Sequence, residues 1–253
     1  ERHSIFRTAF IWEGVDEPVQ VVQSEVELPV EMDDWRGLTA EQQRSKLADY
    51  LEADRQHGFD LAHAPLMRLG LFRISEEAYD LVWSHHHLLL DGWSVPLIFR
   101  EVFVLNESLR TGQEPYLPPA RPYSDYIAWM QQQDTGAAED FWRQALSSFS
   151  APTPLPLDRF YPAEPGVEGY AEEEVWVSEA ISDRLQALSR QHGVTLNTMI
   201  QAAWALLLSR YSGEKDVVFG ATVSGRPADL PGSESMVGIF INTLPVRTQI
   251  DPQ

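Results

Sequence analysis

The chain contains no cysteine, which excludes disulfide bonds, thiolate nucleophiles and cysteine-ligated metal sites. It also has few basic residues: 19 Lys and Arg against 38 Asp and Glu give a formal net charge of −19. Nucleic acids would therefore be repelled at long range. No apolar run approaches the ~18 residues that a membrane span requires. We expect a cytoplasmic protein whose partners are neither nucleic acids nor membranes.

The residues that are present predict an α/β fold with mixed sheets. With 253 residues and 43% hydrophobic content, the chain can bury a full core, in one large domain or two lobes. Hydrophobic periodicity predicts strands at residues 5–12, 19–28, 66–74, 79–86, 170–177 and 217–223. It predicts helices at 39–56, 94–109, 123–133, 137–146, 178–191 and 195–211. Ser94 is the expected N-cap of the second helix.

Residues 83–94, WSHHHLLLDGWS, place three histidines at the end of a predicted strand. Side chains alternate along a strand, so His85 and His87 would share one face and His86 the other. Three interpretations remain open for these histidines. They are hydrogen-bonded core residues, ligands of a metal completed by Asp91 or a distant histidine, or a general acid or base. The metal interpretation is the weakest, because no further ligand pattern completes the set.

Five motifs together resemble the condensation domains of nonribosomal peptide synthetases. Residues 86–92, HHLLLDG, resemble the family's HHxxxDG core motif. Residues 2–10, RHSIFRTAF, resemble RHExLRTxF, with Ser4 and Phe6 as departures. Residues 123–129, YSDYIAW, resemble YxDYAxW with Ile127 as a departure, and residues 237–247, VGIFINTLPVR, resemble VGxFINTxxxR. Residues 220–227 are similar to the strand and loop that precede this last motif.

The resemblance implies two chloramphenicol-acetyltransferase-like lobes set in a V, each with a mixed sheet flanked by helices. The HHxxxDG motif would lie at their junction, in a tunnel entered from both sides. The family's first motif would precede residue 1, and its late motifs would follow residue 253. We therefore expect residues 1–160 to form an N-terminal lobe that is incomplete at its start, and residues 161–253 to form only the opening of the C-terminal lobe.

The function implied by the resemblance is peptide-bond formation in secondary-metabolite biosynthesis, for example of an antibiotic or a siderophore. The partners would be an upstream (donor) and a downstream (acceptor) peptidyl carrier protein domain, with a neighbouring adenylation domain in the same polypeptide. The carriers would deliver substrates as phosphopantetheine thioesters. The domain itself would bind no cofactor and no metal.

Within the motif, the resemblance gives His87 the task of positioning or deprotonating the acceptor amine. His86 and Asp91 would support the site, and we expect Asp91 to form a salt bridge with Arg7. Gly92 would let its backbone approach the thioester closely or adopt a positive φ angle.

Four further residues receive supporting roles from the resemblance. Trp93 and Ser94, which extend the core motif, would support the site structurally. Asn242 and Arg247 would lie in the tunnel or at the lobe junction. We favour a role in packing the lobes together over a role in contacting the substrate.

Two alternatives stay open. An epimerisation domain of the same superfamily shares HHxxxDG, although it typically has another residue at the position of Trp93 and lacks the FINTLPVR form of residues 240–247. A non-catalytic module that only docks a carrier protein is the second alternative. The form of residues 88–94 and 240–247 favours the subtype that joins two L-amino acids.

Overall fold

A computed structural model describes residues 2–155 and 173–251. It has the predicted α/β class, with more helical than strand residues. The strands are β1 (Thr8–Ile11), β2 (Val19–Val22), β3 (Val30–Asp34), β4 (Met67–Arg73), β5 (Tyr79–His85), β6 (Asp216–Val223) and β7 (Asn242–Gln249). The helices are α1 (Ala40–His57), α2 (Ser94–Thr111), α3 (Ser124–Gln131), α4 (Thr135–Ala145), α5 (Glu179–His192) and α6 (Leu196–Ser212). All six predicted helices are thus present.

Local sequence signals account for where α1 begins and ends. The Thr39 hydroxyl accepts a hydrogen bond from the Gln42 backbone amide, and the Gln42 side chain accepts one from the Thr39 amide. This reciprocal capping box satisfies two amides that a helix start would otherwise leave unpaired. At the other end, Gly58 adopts a positive φ of 59° and stops the helix.

The three-stranded sheet β3-β4-β5 ends at the first of the three histidines, His85. β4 and β5 form the predicted antiparallel hairpin, in which Met67 pairs with His85, and β3 runs parallel to β4. Strand β3 was not predicted, because three of its five residues are acidic and acidic residues are depleted in strands. On one face of the sheet, the Phe72 ring stacks on Trp35 at 4.1 Å and meets the Tyr50 ring of α1 edge-on at 4.8 Å. Helix α1 therefore packs on that face.

The chain start differs from the prediction. Residues 5–12 were predicted as one strand, but a 3-10 helix, Ser4–Arg7, precedes β1. Ile5 is buried in the core from this helix, so its apolar side chain reflects core packing rather than strand periodicity. The second strand is also shorter than predicted and ends at Val22.

The described residues form two compact units. The first unit holds residues up to Gln133 together with Ser224–Asn242, and the second holds the rest. The core of the first unit joins side chains from distant parts of the sequence: Ile5, Leu66, Leu89, Leu90, Tyr123, Tyr126, Leu230, Met236, Val237 and Phe240. The lobe boundary predicted at residue 160 lies outside the described residues and stays a prediction.

The second unit contains α4 to α6 and the two-stranded sheet of β6 and β7. Its core consists of Ala205 and Leu208 on α6 against Val217 on β6. The predicted strand at 170–177 is wrong for its described part, because residues 173–177 form no strand. Its remaining residues lie outside the described residues.

We predict that Gly225→Ala destabilises the first unit. Gly225 has a φ of 61°, and a Cβ placed there would lie 1.8 Å from the backbone oxygen of Phe240. A backbone oxygen cannot rotate away, so the expected loss is about 3 kcal/mol of unfolding free energy, at the upper end for overpacking. Urea denaturation measures this loss.

The matched control is Gly37→Ala, because a Cβ at Gly37 would meet no atom within 4 Å and its φ is not positive. The control should stay within about 1 kcal/mol of wild type. Equal stability of the two variants would contradict the close packing of Gly225 against Phe240.

Candidate active site

The histidine triplet spans the end of a strand. β5 ends at His85, and the next residue starts a turn in which the His86 amide donates to the Leu66 carbonyl at 2.9 Å. The Leu88 amide donates to His86 Nδ1 at 3.2 Å, and the Leu89 amide donates to the His86 carbonyl at 3.0 Å. His86 is therefore built into the turn. The predicted strand alternation does not extend to His87, because the strand ends before it.

The three imidazoles have different surroundings. His85 is half-buried beside the Trp83 ring, 5.0 Å away between centroids. Burial lowers the pKa of His85 below its usual value, so this imidazole is neutral at pH 7. His87, in contrast, is exposed, and within the described ranges no hydrogen bond engages its ring. Of the three histidines, His87 is thus the one available to a substrate.

Asp91 is the most enclosed charged group of the motif, with 1% of its surface exposed. Its Oδ1 accepts hydrogen bonds from the Ser94 amide at 2.9 Å and from Arg226 Nη2 at 3.3 Å. Its Oδ2 accepts from the Phe240 amide at 3.0 Å. A buried carboxylate requires such partners, because burial without them is strongly unfavourable. Asp91 is therefore fully engaged as an anchor of the turn.

The predicted salt bridge between Asp91 and Arg7 is wrong, because Arg226 is the partner of Asp91. The Arg7 guanidinium instead donates to the backbone carbonyls of Gln23 and Ser24, where the chain leaves β2. Arg7 thus holds the β1-β2 hairpin, apart from the motif turn. A cation opposite Asp91 is what the buried charge requires, but sequence spacing did not identify which one.

Arg226 connects the motif turn to the segment Ser224–Asn242. Besides Asp91, its guanidinium donates to the backbone carbonyls of Ser233 and Met236. Its Cζ also lies 4.0 Å from the centroid of the Phe240 ring, a cation–π contact. The side chain is only 11% exposed, because the segment folds around the guanidinium.

Ser94 does not act as the predicted N-cap. The cap position of α2 is Trp93, which makes no side-chain cap, and Ser94 is the first helical residue. The capping oxygen comes from Asp91 Oδ1, which accepts from both the amide and the hydroxyl of Ser94. Acidic groups are favourable at this end of a helix because of the helix dipole.

Gly92 and Trp93 form the exposed part of the turn. The expectation of a positive φ at Gly92 is wrong, since Gly92 is not among the glycines in that region. A Cβ at Gly92 would meet no described atom within 4 Å. The close approach of a substrate to this backbone stays a prediction. Trp93 is 62% exposed, so packing of its ring does not support the turn, and its predicted supporting role stays a prediction.

Among the described residues, no group of three or more His, Asp or Glu side chains could hold a metal ion. No helix in the same ranges is long and apolar enough to cross a membrane.

A family model described as the condensation domain matches residues 1–253. The chain belongs to the condensation-domain family. It is 52% identical over 252 residues to one of the proteins that make up the linear gramicidin synthase of Brevibacillus parabrevis, covering 99% of this chain and 3% of that protein. The condensation domain therefore spans only a small fraction of this relative's length.

Solved structures agree with the fold. A four-domain nonribosomal peptide synthetase is 25% identical, with a TM-score of 0.77 over 99% of this chain and 18% of that one. The epimerization domain from the third module of tyrocidine synthetase B has a TM-score of 0.80 at 19% identity, over 99% of this chain and 58% of that one. The predicted chloramphenicol-acetyltransferase-like fold of this condensation domain is confirmed.

Asn242 and Arg247 lie on β7 of the condensation domain. Asn242 begins the strand. The Arg247 guanidinium pairs with Asp216 of β6 and donates to the Ala145 carbonyl at the end of α4, all within the second unit. The same pairing lowers the pKa of Asp216 below its usual value. Arg247 therefore holds α4 against the β6-β7 sheet, and its predicted place in a tunnel or lobe junction stays untested.

We predict that Arg226→Met lowers the stability of the condensation domain. The substitution leaves the Asp91 carboxylate buried without a cation, and breaking a buried pair in this way typically costs about 3–5 kcal/mol. Urea denaturation at pH 7 measures the loss.

Arg110→Met serves as the control, because Arg110 and its partner Glu107 are 75% and 57% exposed. An exposed pair contributes about 1 kcal/mol or less. A cost for Arg226→Met no larger than that of the control would show that Arg226 is not what compensates the charge of Asp91.

Proposed function

We propose that this condensation domain forms an amide bond between two substrates that are held as thioesters on carrier proteins. The amine of the downstream aminoacyl thioester attacks the carbonyl carbon of the upstream acyl or peptidyl thioester. A C–N bond forms, the C–S bond breaks, and the upstream thiolate leaves while the amine loses a proton. The growing chain is thereby transferred to the downstream carrier.

The chemistry sets modest demands on the protein. A thioester is already activated and a neutral amine is a good nucleophile, so positioning of two tethered reactants supplies much of the rate. One imidazole can orient the amine, accept its proton or stabilise the tetrahedral intermediate. We assign this task to His87.

The proposal rests on one observation: the His87 ring is exposed, whereas the turn to which His87 belongs is fixed by hydrogen bonds. The His87 ring is exposed, whereas His86 and Asp91 on either side are fixed by hydrogen bonds to Leu66, Ser94 and Phe240. A general acid or base works best when its backbone is held and its ring faces the substrate.

Relatives support the proposed partners. The matching gramicidin synthase protein is many times longer than this chain, and one solved relative is a four-domain synthetase. We propose an upstream and a downstream peptidyl carrier domain and a neighbouring adenylation domain as partners, with phosphopantetheine as part of the substrates. We also propose that the domain belongs to the subtype that joins two L-amino acids.

We predict that His87→Ala slows amide formation by about 100-fold to 10,000-fold, the range typical of a lost general acid or base. The measurement is a single-turnover assay with the full-length protein and two loaded carrier proteins, followed by mass spectrometry of the downstream carrier. His63→Ala is the matched control, because His63 is an exposed histidine outside the motif.

The same assay separates the alternatives. Equal rates for wild type and His87→Ala would contradict the role of His87. Inversion of the α-carbon without amide formation would identify an epimerisation domain. Carrier binding without either product would identify a docking module, and comparable transfer from free acyl-coenzyme A would identify a carrier-independent acyltransferase.

A further inference from the structure

The Ser94 hydroxyl occupies an unusual position at the start of α2. Ser94 has no exposed surface. Its Oγ lies 2.8 Å from Asp91 Oδ1 and 2.8 Å from the Gly238 carbonyl oxygen, both of which are acceptors. It also lies 3.1 Å from the Gly238 amide and 3.1 Å from Arg226 Nη2, both of which are donors. One hydroxyl thus lies within hydrogen-bond distance of four groups on three residues: Asp91 in the motif turn, and Arg226 and Gly238 in the segment Ser224–Asn242.

Each of these four groups depends on the hydroxyl to a different extent. A serine hydroxyl donates one hydrogen bond and accepts two, so its proton goes to either Asp91 or Gly238 while its lone pairs face the two donors. Asp91 Oδ1 and the Gly238 carbonyl keep other donors when the hydroxyl is removed, namely the Ser94 amide and the Asp91 amide. Within the described residues, the Gly238 amide has no acceptor other than Ser94 Oγ.

The turn that bears His87 touches the segment Ser224–Asn242 through a small set of polar contacts. Asp91 forms hydrogen bonds with Arg226, Gly238 and Phe240. Arg226 and Gly238 are also partners of Ser94, and Phe240 lies two residues after Gly238. Gly238 also lies against Tyr123, since a Cβ there would meet that ring at 2.2 Å. The Gly238 backbone is therefore fixed by packing on one side and oriented by Ser94 on the other.

We propose that Ser94 is a positioning residue for the condensation reaction: its hydroxyl fixes residues 238–240 against Asp91 and thereby sets where the turn holds His87 and Gly92. Ser94 itself touches no reacting atom. It acts on the reaction through Asp91 and through the backbone of the turn, so its loss displaces the catalytic imidazole without removing it. The kinetic part of this inference rests on the proposed function, and the structural part does not.

The test compares Ser94→Ala with Ser94→Thr in the full-length protein. Ser94→Ala should lower kcat for amide formation by about 10-fold to 100-fold, because a displacement of about 1 Å at a reacting group has effects of this size. KM for the loaded acceptor carrier should stay within twofold, since no carrier contact changes. Ser94→Thr retains the hydroxyl and should recover most of the lost kcat. A purely structural loss would instead reduce the amount of active protein and leave kcat per folded molecule unchanged.

Hydrogen–deuterium exchange gives a second readout that needs no activity. In Ser94→Ala, the Gly238 and Phe240 amides should exchange at least tenfold faster than in wild type, while the amides of α1 keep their rates. If Ser94→Ala does not fold, Ser94→Cys takes its place, because a thiol has similar shape but is a weak donor and acceptor.

Ser108→Ala is the matched control on the same helix. Ser108 lies near the C-terminal end of α2, where its hydroxyl donates to the exposed Gln113 carbonyl, so neither kcat nor the exchange of Gly238 should change. The inference is overturned if Ser94→Ala keeps kcat within twofold of wild type, if Gly238 exchange is unchanged, or if Ser94→Thr loses as much activity as Ser94→Ala. Failure of the proposed function is a different result: wild type itself would form no amide, while the exchange comparison would still decide the role of Ser94.

Discussion

The pairing of buried Asp91 with Arg226 is the interaction on which the rest of the first unit depends. A carboxylate with 1% exposure needs a cation and hydrogen-bond donors around it. Those donors come from α2 and from Ser224–Asn242, a segment far along the chain from the motif. The cation, Arg226, comes from the same segment, 135 residues after Asp91. Its guanidinium also donates hydrogen bonds to the carbonyls of Ser233 and Met236. The charge of Asp91 thereby determines which distant segment completes the unit that carries the motif.

The same segment contains two glycines whose packing leaves no space for a side chain. The backbone must come close enough for the Gly238 and Phe240 amides to reach a hydroxyl and a carboxylate. Gly225 lies against the Phe240 carbonyl and Gly238 lies against the Tyr123 ring, with no space for a Cβ at either position. Gly92 is different, since the space beside it is open. The first two glycines serve packing inside the protein, whereas Gly92 is exposed.

The sequence predicted the helices and the α/β class well, because these follow from local patterns such as the capping box at Thr39. It also identified the motif turn, because three histidines before Asp91 and Gly92 are locally distinctive. It assigned the wrong partner to Asp91, because Arg7 and Arg226 are both arginines in motif-like stretches and only three-dimensional proximity distinguishes them. The strand alternation did not extend to His87 for a related reason: β5 ends at His85, and after one further in-register hydrogen bond, from the His86 amide to the Leu66 carbonyl, the chain turns.

The motif contains residues that fix the turn and one exposed imidazole, His87, to which we assign the proposed reaction. His86 Nδ1 accepts from the Leu88 amide, and the Asp91 carboxylate oxygens accept from the Ser94 amide of α2 and from the Phe240 amide of the distant segment. Both carboxylate oxygens of Asp91 are engaged by these donors, so a literal proton relay from His87 to Asp91 finds no support in the geometry. An activated thioester needs little acid or base assistance but precise placement of the amine. A motif that commits most of its polar atoms to fixing one exposed imidazole meets that demand.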